Sequence, residues 1–174
     1  SADLLDWLDC DVLDGSLYIE DTSLTDLEGL SNLVSISGDV IIFGNDNLEN
    51  IQALENLCSV GGYIEISTNP ALTDLEGLVN LATVGDFLDI SSNPSLVDLS
   101  NLSNLDTIEG FLSVSKNDAL ESIEHLMDVS WIGENLLMYR NTNLCHSHVM
   151  AFIEALGSGL GGDVENITAN KDAC

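Results

Sequence analysis

Acidic side chains return at a fixed interval along this chain. Asp26, Asn50, Asp74 and Asp98 stand 24 residues apart, and Glu28, Gln52, Glu76 and Glu124 fall on a second such series. Carboxylates held close together repel, and a divalent cation between them relieves that repulsion. Asp26, Asp74 and Asp98 are therefore weak cation candidates, with calcium as the ion to test. No EF-hand loop or nonapeptide calcium repeat accompanies them. Each Asp-x-Glu also straddles an apolar residue, so diffuse cation condensation fits better than a defined site. Otherwise no cofactor is expected. His146 and His148 flank Ser147 beside Cys145, but residues two apart on a helix do not face together, and the spacing is not that of a zinc site. No GxSxG, HExxH or phosphate-loop motif is present. Acid pairs that could serve glycoside hydrolysis occur only because acids are everywhere. No catalytic residue is assigned, and the chain is read as a non-enzyme.

The positions of these acids follow from a repeat. In Gly62–Gly85 the apolar residues are Ile64, Ile66, Leu72, Leu75, Leu78, Leu81 and Val84. A shift of 24 gives Leu88, Ile90, Leu96, Leu99, Leu102, Leu105 and Ile108. One such unit cannot bury its own apolar edge and must stack on its neighbours, which is the mark of a solenoid. The period-two stretch Tyr63-Ile64-Glu65-Ile66 reads as a strand, and strands at equal places in successive coils pair in parallel. The leucines three apart suit extended or 3₁₀-like turns around a narrow core. After each strand comes an asparagine: Asn45, Asn69, Asn93, Asn117, Asn141 and, closing the series, Asn170. Their amides can satisfy one another and the turn backbone, so they read as a structural ladder rather than as ligand contacts. The expected fold is a β solenoid of about six coils with parallel sheets and short helices at both ends. It is read as one domain over 1–174. Residues 1–10 form an N-terminal cap with a helix over Ala2–Asp9, 15–144 form the coils, and 145–174 hold a helix over Ser147–Leu156 and a closing strand over Val164–Asn170.

Such a core leaves only the walls for contact with other molecules. Three columns point outward from the strands. The first holds Asp39, Tyr63, Phe87, Phe111 and Asn135; the second includes Glu65 and Asp89; the third includes Phe43, Ser67, Ser91, Ser115 and Tyr139. Aromatic residues stacked on neighbouring strands beside acids suggest a contact surface, although an aromatic ladder also stabilises parallel strands. Tyr63, Phe87, Phe111, Glu65, Asp89, Phe43 and Tyr139 form the candidate binding face.

Composition limits the partners. There are 30 acidic and 3 basic residues, a formal net charge of −27. Nucleic acid and anionic membranes are poor partners for that surface, and no apolar run approaches the ~18 residues of a membrane span. A solvated acidic surface suited to a salty medium accounts for most of the charge. Four cysteines without a CxxC pair suggest disulfides in a secreted chain. Asn166-Ile167-Thr168 matches a glycosylation sequon, placed by this reading in the closing strand, where access would be poor.

The chain resembles the receptor L domain family, the ligand-facing lobes of insulin-type and epidermal-growth-factor-type receptors and related surface proteins. The likeness rests on the strand–Asn–Pro–x–Leu unit (Thr68-Asn69-Pro70-Ala71-Leu72 and Ser92-Asn93-Pro94-Ser95-Leu96), on leucine-spaced returns ending in Val/Ile-x-Gly, and on the closing block from Asn141 to Cys174. It spans about Cys10 to Cys174. The resemblance implies a right-handed single-stranded β-helix with helices plugging its ends, and a disulfide between Cys145 and Cys174. Cys10 sits where such domains place a cysteine before the first strand. Its usual earlier partner is absent, which leaves Cys58 as the candidate and a Cys10–Cys58 bond open. The function implied is extracellular or cell-surface recognition or adhesion, with a protein or glycan bound on the solenoid surface. A self-assembling structural surface component is the alternative, and an ice- or cation-binding solenoid the third.

Overall fold

A strand with apolar residues two apart, followed by a return with apolar residues three apart, wraps the chain around a narrow core, and the computed structural model shows the resulting three-sided coil. It describes residues 12–168 and Asn170; the helix expected over Ala2–Asp9, with Cys10 and Cys174, lies outside the described residues. In chain order the strands are β1 (Val12–Leu13), β2 (Leu17–Glu20), β3 (Ser35–Ile36), β4 (Val40–Phe43), β5 (Ser59–Val60), β6 (Ile64–Ser67) and β7 (Thr83–Val84). Then come β8 (Leu88–Ser91), β9 (Thr107–Ile108), β10 (Leu112–Ser115), β11 (Trp131–Ile132), β12 (Leu136–Tyr139) and β13 (Val164–Glu165), with helix α1 (His146–Leu156) before the last. The four-residue strands and β13 form a seven-stranded parallel sheet in the order β2-β4-β6-β8-β10-β12-β13, and the two-residue strands form a second, six-stranded parallel sheet. The third side is made of 3₁₀ turns at Gln52–Leu54, Glu76–Leu78, Ser100–Leu102 and Glu124–Asp128. The winding is that of a right-handed β-helix. The second sheet adds to the sequence reading, which recognised one strand per coil.

The interior is a set of leucine, isoleucine and valine columns. Leu72, Leu75, Leu78 and Leu81 are all buried, as are their equivalents one coil on either side. Each such side chain contributes roughly 1.5–3 kcal/mol on leaving water. At the C-terminal end α1 lays Val149, Phe152 and Leu156 on the core. Gly157, in the left-handed region at φ 51°, ends this helix and donates its N–H to the Ile153 carbonyl, the conformation glycine adopts most cheaply.

The buried asparagines hold one corner. The backbone N–H groups of Asn45, Asn69, Asn93, Asn117 and Asn141 each donate to the side-chain oxygen of the next asparagine in the series, at 3.0–3.2 Å. Each Nδ2 reaches back to a strand carbonyl, as Asn93 does to Ile66 O at 2.9 Å. Thr22 completes the N-terminal end, where its N–H and hydroxyl both donate to Asn45 Oδ1, and Asn170 completes the other. A left-handed residue precedes each rung: Gly44, Thr68, Ser92, Lys116 and Arg140 have φ between 56° and 69°. This conformation costs a non-glycine residue roughly 1 kcal/mol or more. It is offset because the same residue continues the sheet pairing, as Ser92 N–H does to Ser115 O at 2.9 Å.

Candidate functional site

The seven-stranded sheet carries the outward columns. Register pairing sets Tyr18, Ile41, Glu65, Asp89, Ser113 and Leu137 side by side, and beside them Glu20, Phe43, Ser67, Ser91, Ser115 and Tyr139. Tyr63, Phe87 and Phe111 precede β6, β8 and β10 and stack. The Tyr63 and Phe87 rings lie 4.3 Å apart at 13°, and the Phe87 and Phe111 rings 4.6 Å apart at 5°. Both faces of Phe87 are thus covered by neighbours, and the ladder shows edges to the outside. A ring edge is the positive rim of its quadrupole, which suits neighbouring carboxylates. Desolvation within the stack, and then the nearby Asp39 carboxylate, raise the Tyr63 pKa above the usual tyrosine value.

The acids on this face are held in place. Ser67 Oγ donates to Glu65 Oε1 at 2.6 Å and Ser91 Oγ to Asp89 Oδ2 at 2.9 Å. Glu65, Asp89, Phe87, Phe111, Lys116 and Tyr139 line one shallow hollow, floored by Ser113 and Ser115. The structure therefore brings together six of the seven residues proposed from sequence, counting Tyr63 through its stack. Phe43, 38% exposed, lies toward the other end and is separated from Tyr139 by Ser67, Ser91 and Ser115 in its column.

The repeated acids on the third side have another occupation. Asp26, Asn50, Asp74 and Asp98 each accept, through Oδ1, the N–H two residues on, at 2.8–3.3 Å. These Asx turns start the return segment, where Asn50, Asp74 and Asp98 lead into 3₁₀ turns. The second oxygens of Asp26 and Asp74 take the hydroxyls of Thr25 and Thr73. Among the described residues no three His, Cys, Asp or Glu side chains converge as a metal site.

Sequence reasoning missed a second asparagine column. Asn56, Asn80 and Asn104 donate from Nδ2 to Ser31, Glu55 and Val79 carbonyls of the preceding coil, at 2.7–2.8 Å. The recurring Asn-Leu dipeptide was the available signal.

One open pairing is answered and one expectation is corrected. Cys58 is an exposed free thiol that donates to Asn56 O at 3.4 Å, so it takes no part in a Cys10–Cys58 bond; its corner turns it to solvent. Asn166 is exposed and accessible, because the closing strand ends at Glu165 and Asn166 itself turns left-handed at φ 51°. Cys145 is disulfide-bonded; Cys174, its expected partner, lies outside the described residues.

A parallel β-helix with one broad outward sheet defines a class of recognition scaffold, and the sequence comparison places the chain within it. Residues 9–73 and 58–155 match the family described as the receptor L domain. The chain belongs to the receptor L domain family. No curated protein matches it. Members of the family are ligand-binding modules of extracellular receptors rather than enzymes. No helix among the described residues is long and apolar enough to cross a membrane.

Proposed function

We propose that this chain is a non-enzymatic extracellular recognition domain, spanning 1–174, that takes a protein partner on the outer face of the seven-stranded sheet. The observation that carries this reading is the covered Phe87 ring, stacked on both sides. A sugar ring packs best flat on an aromatic face, and here both faces of Phe87 and one each of Tyr63 and Phe111 are spent on each other. Ring edges beside fixed carboxylates suit interdigitating protein side chains, with aromatic residues as anchors at the centre of the contact. The surrounding acidity favours a basic partner and fast encounter at low salt. The proposed contact residues are Tyr63, Phe87, Phe111, Glu65 and Asp89, with Tyr139 and Phe43 at the margins. No metal is needed for this contact.

Arrays of secreted proteins and of glycans, probed with the parent and with Phe87→Ser, test the reading. Binding to one or more proteins should weaken at least about tenfold in the variant, as for a central aromatic anchor. Equal binding by both, or a ligand footprint confined to the six-stranded sheet, overturns the assignment of the face. Mass that rises with concentration in light scattering, with no arrayed ligand, would favour the self-assembling alternative.

A further inference from the structure

The hollow on the large sheet has a polar end that the aromatic ladder does not account for. Glu65 and Asp89 are register partners on β6 and β8, so their backbone positions are about 5 Å apart. Like charges directly opposite destabilise a sheet, yet each carboxylate is fixed by its own serine, Ser67 or Ser91. On the next strand Ser113 and Ser115 are 8% and 3% exposed. Their hydroxyls line the same hollow and take no hydrogen-bond partner among the described residues. Among the described residues no polar side-chain atom is sealed away without a partner, so these two oxygens remain open toward the hollow. Buried polar groups are normally satisfied; here the bonding capacity faces outward.

Two paired carboxylates and two free hydroxyl acceptors match a planar group rich in donors. A metal ion would want a third acid, and none converges here. An ammonium is a compact, strongly hydrated charge, whereas a guanidinium is flat, weakly hydrated and offers five N–H donors in a fork that fits carboxylates. Lys116, exposed on the rim, opposes any cation in the hollow, so the two carboxylates must outweigh it, and it suits an acidic residue beside the arginine. We infer that Glu65, Asp89, Ser113 and Ser115 form a seat for a single arginine side chain of the protein partner. This inference rests on the recognition reading above and names the chemistry of its ligand.

Acetyl-Leu-Arg-Leu-amide, titrated into the full chain and followed by NMR, is the probe, with its citrulline analogue as the neutral isostere. Saturable shifts are expected at Glu65, Asp89, Ser113 and Ser115, weakened at least tenfold by citrulline and by Asp89→Asn, which keeps an acceptor for Ser91. Equal affinity of the arginine and citrulline peptides, no effect of Asp89→Asn, or shifts spread evenly over Asp26 and Asp74 would each overturn the inference. So would a neutral glycan that occupies the same residues more tightly than the peptide. If arginine fails while a Phe87-dependent protein ligand survives, only the seat is lost; if both fail, the face itself is wrong.

Discussion

The two sheets come from the same coils and the same parallel pairing, yet they present different surfaces, and the proposed contact face lies on only one of them. Strands of the large sheet are mostly four residues long and lift two full outward columns, with rings, carboxylates and hydroxyls in register. Strands of the small sheet are two residues long, and their outward column runs Val12, Ser35, Ser59, Thr83, Thr107 and Trp131. The residue after β7 is Gly85, where a Cβ would run into the carbonyl oxygen of Gly61 in the preceding coil. Backbone approaches as closely at Gly61 and Gly133, while Ser37 and Glu109 carry side chains at the equivalent places of other coils. Two-residue strands make the small sheet a narrow seam with one outward residue per coil, and four-residue strands give the large sheet two.

That contrast can be broken by experiment. Gly85→Val should cost about 3 kcal/mol through overpacking, lowering Tm by about 10 °C for a chain of this size; thermal unfolding reads it, and an unchanged Tm would show the seam to be looser than described. Phe87→Ser removes two ring contacts worth about 0.5–1.5 kcal/mol each. The folded coil should survive that loss, with the larger consequence seen in partner affinity. Ser59→Ala gives up only the Ser35–Ser59 hydroxyl contact of 2.9 Å, and a change of about 0.5 kcal/mol or less, with no change in ligand binding, is expected. An effect on binding would move the contact surface to the small sheet.

The smallest expected effect is on pH response. The Tyr63 phenol is an acid whose folded pKa is raised by desolvation and by Asp39, so the fold favours its neutral form. That contribution is intact below the unfolded tyrosine value, near 10, and is lost as pH rises past it toward the higher folded value. A difference absorbance titration of the parent against Tyr63→Phe should place this ionisation above the ordinary range.

The coil was legible because Leu72, Leu75, Leu78 and Leu81 recur unchanged in spacing, and burial leaves no alternative for them. The small sheet was not. Strands such as Ser59–Val60 carry one inward residue each, too few for alternation to show. Asp74 and its equivalents read as mutual repulsion, because a sequence does not reveal that Asp74 Oδ1 already holds the Glu76 N–H. The aromatic column was visible as a column; whether faces or edges of the rings look outward depends on their tilt, which only coordinates supply. Ser113 and Ser115 could be placed in their outward columns, but not recognised as lacking a partner, since an unused hydroxyl is a property of packing.

The asparagine ladder has a direction. Every rung takes its acceptor from the coil that follows and gives its amide to the coil before, so any two interior rungs are interchangeable partners. A module of 24 residues can therefore be removed or duplicated between Asn69 and Asn117 with each junction meeting the same partners as before; other spacings occur at the ends, where Thr22 reaches Asn45 across 23 residues and Asn141 reaches Asn170 across 29. The interior of this architecture grows in steps of one repeat, and a gene that gains or loses whole repeats there can change the length of the wall without redesigning either end.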